Sequence, residues 1–212
     1  MNLFIMTLQT NPFYFFAVVI TVVISIVLHE LAHGWAAIWQ GDDTPIRTGH
    51  MTLNPVVHMG WYSLIFLVVV GISWGLMPVD PSRFRSRRGD ALVALAGPAM
   101  NVLLAAIALT GLGLWMRFDP ISLDDTMLRL REFLYIFGVL NLVLAPFNLL
   151  PIPPLDGSRI LANLDRRYAE LIHDPSKQGV LMLGFVLVFF LARYFFMAGH
   201  WGAEAYLQLL AS

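Results

Sequence analysis

Five apolar runs that approach or exceed membrane-spanning length constrain the fold of this chain more than any other feature. They fall at residues 12–39, 61–77, 91–116, 131–150 and 178–198. A helix of about 20 residues crosses the roughly 30 Å hydrocarbon core of a bilayer. The chain is 58% hydrophobic and 13% charged, whereas about 25% of the residues in soluble domains are charged. We therefore predict an all-α polytopic membrane protein.

The polar segments between these runs are too short to form an appended soluble domain. Residues 1–212 are therefore predicted to form one membrane domain. The formal net charge is −1, and no basic block suggests a nucleic-acid partner. The chain has no cysteine, which excludes disulfides and thiolate metal ligands. No Lys or Arg precedes the first apolar run, which is typical of a retained span rather than of a cleavable signal peptide.

The distribution of cations predicts the orientation of the chain in the membrane. Segments 40–59, 78–90 and 159–177 hold nine of the thirteen Lys and Arg residues, and the first eleven and last twelve residues hold none. Short loops rich in Lys and Arg face the cytoplasm. We therefore expect these three segments on the cytoplasmic side and both termini on the opposite side.

This orientation makes residues 61–77 a special case. They connect 40–59 to 78–90, which are both expected in the cytoplasm, so this run would enter and leave the same face as a re-entrant hairpin. Gly71 and Gly75 interrupt the run, and non-helical backbone at that depth is tolerated against protein or a watery cavity. The fold is thus predicted as four spanning helices plus this hairpin, with an ordinary short span as the alternative.

A potential metal-binding motif lies inside the first apolar run, where ionisable side chains are costly. It is the sequence H-E-x-x-H, formed by His29, Glu30 and His33. Residues i and i+4 share one helix face, so the two histidines can bind one metal ion. Glu30 lies about 100° around the helix, where it can reach a water molecule on that metal without being a ligand, as in zinc hydrolases. A polar cluster at a helix interface, as in a transporter, is the alternative.

A catalytic zinc site needs a third protein ligand and one open position. The best candidate is Asp156 in NLLPIPPLDGSR, where prolines end the fourth apolar run and Gly157 allows a tight turn. In the predicted orientation the first and fourth runs both end on the cytoplasmic side, so Asp156 can meet His33. A turn without any ligand role is the alternative. The remaining histidines are His50, His58, His173 and His200.

A family resemblance is carried by four segments in order along residues 25–160: HELAHG, GHMTLNP, AGPAMN and FNLLPIPPLDG. Together they resemble the site-2 protease family of intramembrane zinc metalloproteases, in its small prokaryotic branch without PDZ or CBS domains. The resemblance implies that His29, His33 and Asp156 bind one zinc ion, that Glu30 is the catalytic base and that Asn148 holds the substrate backbone. It also implies a prokaryotic inner membrane, with the active site toward the cytoplasm.

These features predict a zinc metalloendopeptidase that hydrolyses peptide bonds in or near transmembrane segments, with Glu30 as general base. The predicted partners are single-span membrane-protein substrates and the lipid bilayer. Such a substrate must be held locally extended. Residues 46–53, IRTGHMTL, are predicted as a short β segment that pairs with it, and Asn148 either fixes the same backbone or caps the fourth span.

Two other functions remain open at this point, a membrane metal transporter and a non-catalytic binder of transmembrane segments. A transporter would use the same ligands as a transit site, although transporters distribute ligands along a path. Asn101 is expected to bond across helices, with substrate gating as the alternative, and His58 is expected either to line the site or to be structural. Residues 200–211 are too short to span and are expected at the membrane interface.

Overall fold

The computed structural model describes residues 3–118 and 124–211. Single 3₁₀ turns lie at Phe4–Met6, Pro81–Arg83 and Pro175–Lys177. The α-helices of the described residues are α1 (Thr7–Thr10), α2 (Pro12–Trp39), α3 (Thr44–Arg47), α4 (Pro55–Val70), α5 (Gly89–Phe118), α6 (Asp125–Asn148), α7 (Asp156–Leu164), α8 (Arg166–His173) and α9 (Gln178–Ala211).

Helices α2, α5, α6 and α9 are long and apolar enough to cross a membrane. They contain 28, 30, 24 and 34 residues, so even the shortest is about 36 Å long. The prediction of an all-helical fold is confirmed for the described residues, and these four helices are the candidates for the four predicted spans. Helix α4 is apolar as well, but its 16 residues place it among the shorter helices.

The predicted tail at 200–211 is not a separate element, because α9 continues through it without a break. Packing against the neighbouring spans explains the continuity. Gly199 lies against Val143 of α6, and Leu210 lies against Gly113 of α5. The tail is thus held against the bundle as the last part of α9.

Helices α2, α5 and α6 form the core, with α5 antiparallel to the other two. His33 of α2 bonds to Val93 of α5, whereas His29, one turn earlier in α2, bonds to Asn101, two turns later in α5. Because α2 and α5 run in opposite directions, the segment between them starts and ends on the same side of the bundle. Residues 40–88 therefore enter and leave the bundle on that side, with the turn at Gly71 reaching Phe4, which precedes α2.

Residues 61–77 form a hairpin with one helical and one extended limb. Helix α4 is kinked at Gly60 and ends at Gly71, both with positive φ. The chain then returns in extended form along α4. Ser63 Oγ donates to the carbonyl of Trp74 and accepts from its N–H, with both distances below 3 Å.

The prediction of a β segment over 46–53 is wrong, since the described residues contain no strand. Its beginning lies in α3, where Pro45 in the first turn favours helical φ. Gly49 then takes a φ of 72°, which ends any extended course. The backbone bonds that follow are local, such as that from the N–H of His50 to the carbonyl of Pro45.

Candidate metal centre

The H-E-x-x-H residues lie in the C-terminal half of α2, inside the bundle. His29, Glu30 and His33 expose only 7%, 8% and 4% of their surface. The helix that carries them begins at Pro12, and the Asn11 side chain caps it by accepting from the N–H of Tyr14.

The side chains of His29, His33 and Asp156 converge on one point. The two Nε2 atoms are 3.0 Å apart, and the Asp156 carboxylate oxygens lie 3.1 Å from His29 Nε2 and 3.3 Å from His33 Nε2. A tetrahedral zinc ion with bonds of about 2.0–2.1 Å separates neighbouring ligands by about 3.3 Å. Two imidazole nitrogens and one carboxylate are also a donor set that zinc accepts. The residues present therefore fit zinc.

The second nitrogen of each imidazole is held by a hydrogen bond. His33 Nδ1–H donates to the carbonyl oxygen of Val93 over 2.7 Å, and His29 Nδ1–H donates to Asn101 Oδ1 over 2.6 Å. A carbonyl oxygen only accepts, so the proton belongs on Nδ1 in each ring. Both Nε2 lone pairs are thereby directed to the shared point, as metal ligation requires.

Gly97 allows α5 to pack directly on the two imidazoles. A Cβ at this position would overlap His29 Nε2 and would lie within 2.5 Å of His33 Nε2. The sequence alone does not show that the neighbour of this glycine is the metal centre.

A tight turn places Asp156 at the start of α7. The backbone of Gly157 lies so close to the carbonyl of Leu149 that any Cβ would clash with it. Arg159, one turn into α7, forms an ion pair of 2.6 Å with Asp90 at the start of α5. These contacts fasten α7 to the helices that carry the rest of the site.

Glu30 lies beside this centre but outside the convergent group. Its carboxylate contacts the return limb of the hairpin at Gly75, where a Cβ would overlap Glu30 Oε1. The structure thus separates a group of three potential ligands from one adjacent carboxylate, as the motif predicts.

The other predicted residues lie outside the convergent group. Asn148 Nδ2 donates to the carbonyl of Leu144, one turn back in α6, and its contact with substrate stays a prediction. His58 is buried, and its Nε2 bonds to the carbonyl of Thr52. His50, His173 and His200 bond to neighbours outside the convergent group.

Sequence reasoning missed Asn141 and Ser25, two polar residues that lie behind His29 and Asn101. Asn101 Nδ2 donates to Asn141 Oδ1, and Asn141 Nδ2 donates to Ser25 Oγ. The available signal was weak, one of two amides in the fourth apolar run and a serine one turn before His29.

Comparison with known proteins identifies the family. The model of peptidase family M50 matches residues 16–118 and 118–191. "Putative zinc metalloprotease YwhC" of Bacillus subtilis is 41% identical over 148 residues, which cover 69% of this chain and 68% of the relative. "Putative zinc metalloprotease Rip2" of Mycobacterium tuberculosis is 33% identical over 189 residues, which cover 84% and 69%. No solved structure matches the chain.

The matched residues include all four potential spans in whole or in part and the three residues that fit zinc. A zinc metalloprotease embedded in a membrane agrees with the apolar helices and with the donor set. The chain is an integral membrane protein that belongs to peptidase family M50, the site-2 protease family of zinc metalloproteases.

Proposed function

We propose that this protein is an intramembrane protease that hydrolyses peptide bonds in or near the transmembrane segments of single-span membrane proteins. One observation carries the proposal: His29, His33 and Asp156 converge within a bundle of apolar helices, with the Glu30 carboxylate beside them. An ionisable cluster at such a place is costly and is kept for function.

The roles of the residues follow from this arrangement. His29, His33 and Asp156 would hold zinc, which when bound activates water and stabilises negative charge on a peptide carbonyl. Glu30 is the general base, which accepts a proton from the attacking water and passes it to the leaving nitrogen. Its position outside the ligand group leaves its carboxylate uncommitted to the metal.

The substrate has to be locally extended, because a helical peptide keeps its backbone groups in internal bonds. The return limb of the hairpin supports this step, since it is extended and passes Glu30 at Gly75. A peptide lying along this limb would pass the general base. Asn148, at the end of α6, is the proposed second contact with the substrate backbone.

The position of the site along α2 supports a location near the cytoplasmic face. His33 lies six residues before the end of α2 at Trp39, or about 9 Å along the axis. The adjacent segments are rich in cations, which favour the cytoplasm. On the hairpin, Trp61 and Tyr62 are exposed, as is typical of residues at a membrane interface. The relatives from Bacillus subtilis and Mycobacterium tuberculosis support a prokaryotic cell membrane.

Two alternatives have less support. A metal transporter needs successive sites along a path, whereas the described residues hold one such group, at a single depth. A non-catalytic binder of transmembrane segments has no use for a carboxylate that lies beside three potential ligands without joining them.

The decisive experiment is cleavage by the purified protein in liposomes with candidate single-span substrates. We expect cleavage that a chelator abolishes, that added zinc restores and that Glu30→Gln eliminates, while zinc binding persists. Glu170→Gln, at an exposed position in α8, is the matched control and should cleave normally. Zinc flux that survives Glu30→Gln, without cleavage of any substrate, would overturn the proposal in favour of transport.

A further inference from the structure

We propose that Asn101 and Asn141 are positioning residues that determine which ring nitrogen of His29 carries the proton. A backbone carbonyl of α6 in turn determines how the two side-chain amides are oriented. This inference rests on the proposed zinc site. It concerns a chain of hydrogen bonds, here called the amide relay, that consists of Ser25, Asn141 and Asn101 and ends at His29 Nδ1.

The amide relay is completely enclosed by the three core helices. Ser25 and Asn141 expose 0% of their surface, and Asn101 exposes 1%. Buried amides are costly unless they are hydrogen-bonded. Three polar residues at such positions, one on each core helix, are more than helix packing requires.

The direction of the relay is determined at its far end. Asn141 Nδ2 lies 2.9 Å from the backbone carbonyl of Phe137. A carbonyl only accepts, so the NH₂ group of Asn141 must face Phe137, and its Oδ1 must face Asn101. That oxygen lies 2.9 Å from Asn101 Nδ2 and accepts its hydrogen bond, so the NH₂ group of Asn101 must face Asn141.

The orientation of Asn101 in turn determines the proton position at the metal centre. With its NH₂ group toward Asn141, Asn101 presents Oδ1 to His29, at 2.6 Å from Nδ1. The proton of His29 therefore lies on Nδ1, and the lone pair of Nε2 faces Asp156 and His33. A backbone carbonyl in α6 thus determines which nitrogen of His29 is free to bind metal.

The second histidine provides an internal contrast. His33 Nδ1 bonds directly to the backbone carbonyl of Val93, which no side-chain substitution removes. Only the proton position on His29 depends on side chains. Residues that orient a ligand in this way change metal affinity about 10- to 100-fold when they are lost.

The test compares zinc affinity in single variants of the full-length protein in detergent, measured by competition with a chromogenic chelator. We expect Asn141→Leu and Asn101→Leu to weaken zinc binding about 10- to 100-fold. Ser25→Ala should have a smaller effect, because Phe137 still accepts from Asn141. Asn101→Asp should retain more affinity than Asn101→Leu, since its carboxylate still accepts from His29 Nδ1, although its second oxygen then faces Asn141 Oδ1 and should lower stability.

Thr21→Val is the matched control, because Thr21 is equally buried on α2 and its hydroxyl has no hydrogen-bond partner among the residues that the structure describes. It should leave zinc affinity unchanged. Thermal unfolding monitored by circular dichroism reports whether each variant is folded, and ¹⁵N NMR of labelled histidine reports the protonated ring nitrogen. In Asn141→Leu we expect part of the His29 signal to move to the tautomer protonated on Nε2.

Zinc affinity within twofold of wild type in a folded Asn141→Leu protein, with the His29 signal unchanged, would overturn the amide relay and leave the protease proposal intact. Failure of the wild-type protein to bind zinc would instead overturn the proposed zinc site itself. Zinc affinity that is higher in Asn101→Asp than in Asn101→Leu would support a positioning role for Asn101 rather than a role in packing alone.

Discussion

The three-helix core and the segment between α2 and α5, residues 40–88, bury polar groups in different ways. In the core, side chains from separate helices bond to one another, as Asn101 does with Asn141. In the 40–88 segment, buried side chains bond mainly to backbone groups of the same segment. Asp42 is fully buried, and its carboxylate accepts from the N–H groups of Thr44 and Asp80.

This difference indicates that the two regions have different functions. The core brings together groups that can bind a metal ion, at positions that helix periodicity dictates. The 40–88 segment fastens the end of α2 to the start of α5 and holds the hairpin over Glu30. We therefore expect substitutions in the core to change zinc binding, and substitutions in the segment to change catalysis or stability with the metal still bound.

The largest effect is expected for Asp156→Asn, which replaces a negatively charged ligand with a neutral amide. Zinc affinity should fall by more than about 100-fold, beyond the loss for residues that merely orient a ligand, and cleavage should cease. Zinc content after dialysis measures this. Asp125→Asn, at an exposed position in the first turn of α6, should retain the metal. Full zinc occupancy in Asp156→Asn would contradict the assigned ligand set.

Gly97→Ala should be the next most severe change in the core. Its Cβ would overlap both imidazoles, so α5 or the histidines must move, and we expect zinc affinity and cleavage to fall at least about 10-fold. Gly111→Ala in the same helix is the control, since its Cβ would meet nothing within 4 Å. It should stabilise α5 by about 0.5–1 kcal/mol. Equal behaviour of the two variants would show that Gly97 is not packed on the site.

Gly75→Ala tests the 40–88 segment where it touches the catalytic residue. Its Cβ would overlap Glu30 Oε1 and would displace the carboxylate without touching a proposed ligand. We expect kcat to fall about 10- to 100-fold, less than the full contribution of a general base, with zinc content unchanged. Loss of zinc together with activity would mean that the two regions are not separable at this point.

Asp42→Asn should have the smallest effect, confined to stability. One oxygen of Asp42 accepts from Thr44 and the other from Asp80, so an amide NH₂ group would face a donor. The free energy of unfolding should fall by about 1–3 kcal/mol. Zinc affinity should not change, and a change of more than twofold would couple this loop to the metal centre.

The pH dependence of stability gives a second measurement on Asp42. Burial alone would raise the pKa of its carboxyl, but hydrogen bonds from the Asp80 N–H and from Thr44 outweigh burial and hold the pKa below its ordinary value. A lowered pKa stabilises the fold above the unfolded-state value of about 3.9. That contribution is lost as the pH falls through the folded-state pKa. Below about pH 4, Asp42→Asn should therefore lose less stability than wild type.

The parts of the molecule that helix periodicity and hydropathy determine could be predicted from the sequence. The four spans and the pairing of His29 with His33 follow from residue spacing along a helix. The convergence of Asp156 with this pair was reached from the distribution of cations, because α2 and α6 had to end on the same side.

Other features depend on contacts that spacing does not encode. Residues 46–53 were predicted as a strand, but Pro45 and Gly49 impose helical and turn backbone there. The role of Asn141 depends on the rotation of α6 about its axis, which places the amide against Asn101 rather than toward lipid. A single polar residue in an apolar span does not reveal its partner.

X-ray absorption at the zinc edge of the purified, zinc-loaded protein tests the central claim most directly. We predict two imidazole nitrogens and one protein carboxylate in the coordination sphere. The spectrum should be unchanged in Glu30→Gln and should lose a ligand in His33→Ala. A coordination sphere with three imidazoles, or one that changes in Glu30→Gln, would contradict a site in which His29, His33 and Asp156 bind zinc and Glu30 remains free as the base.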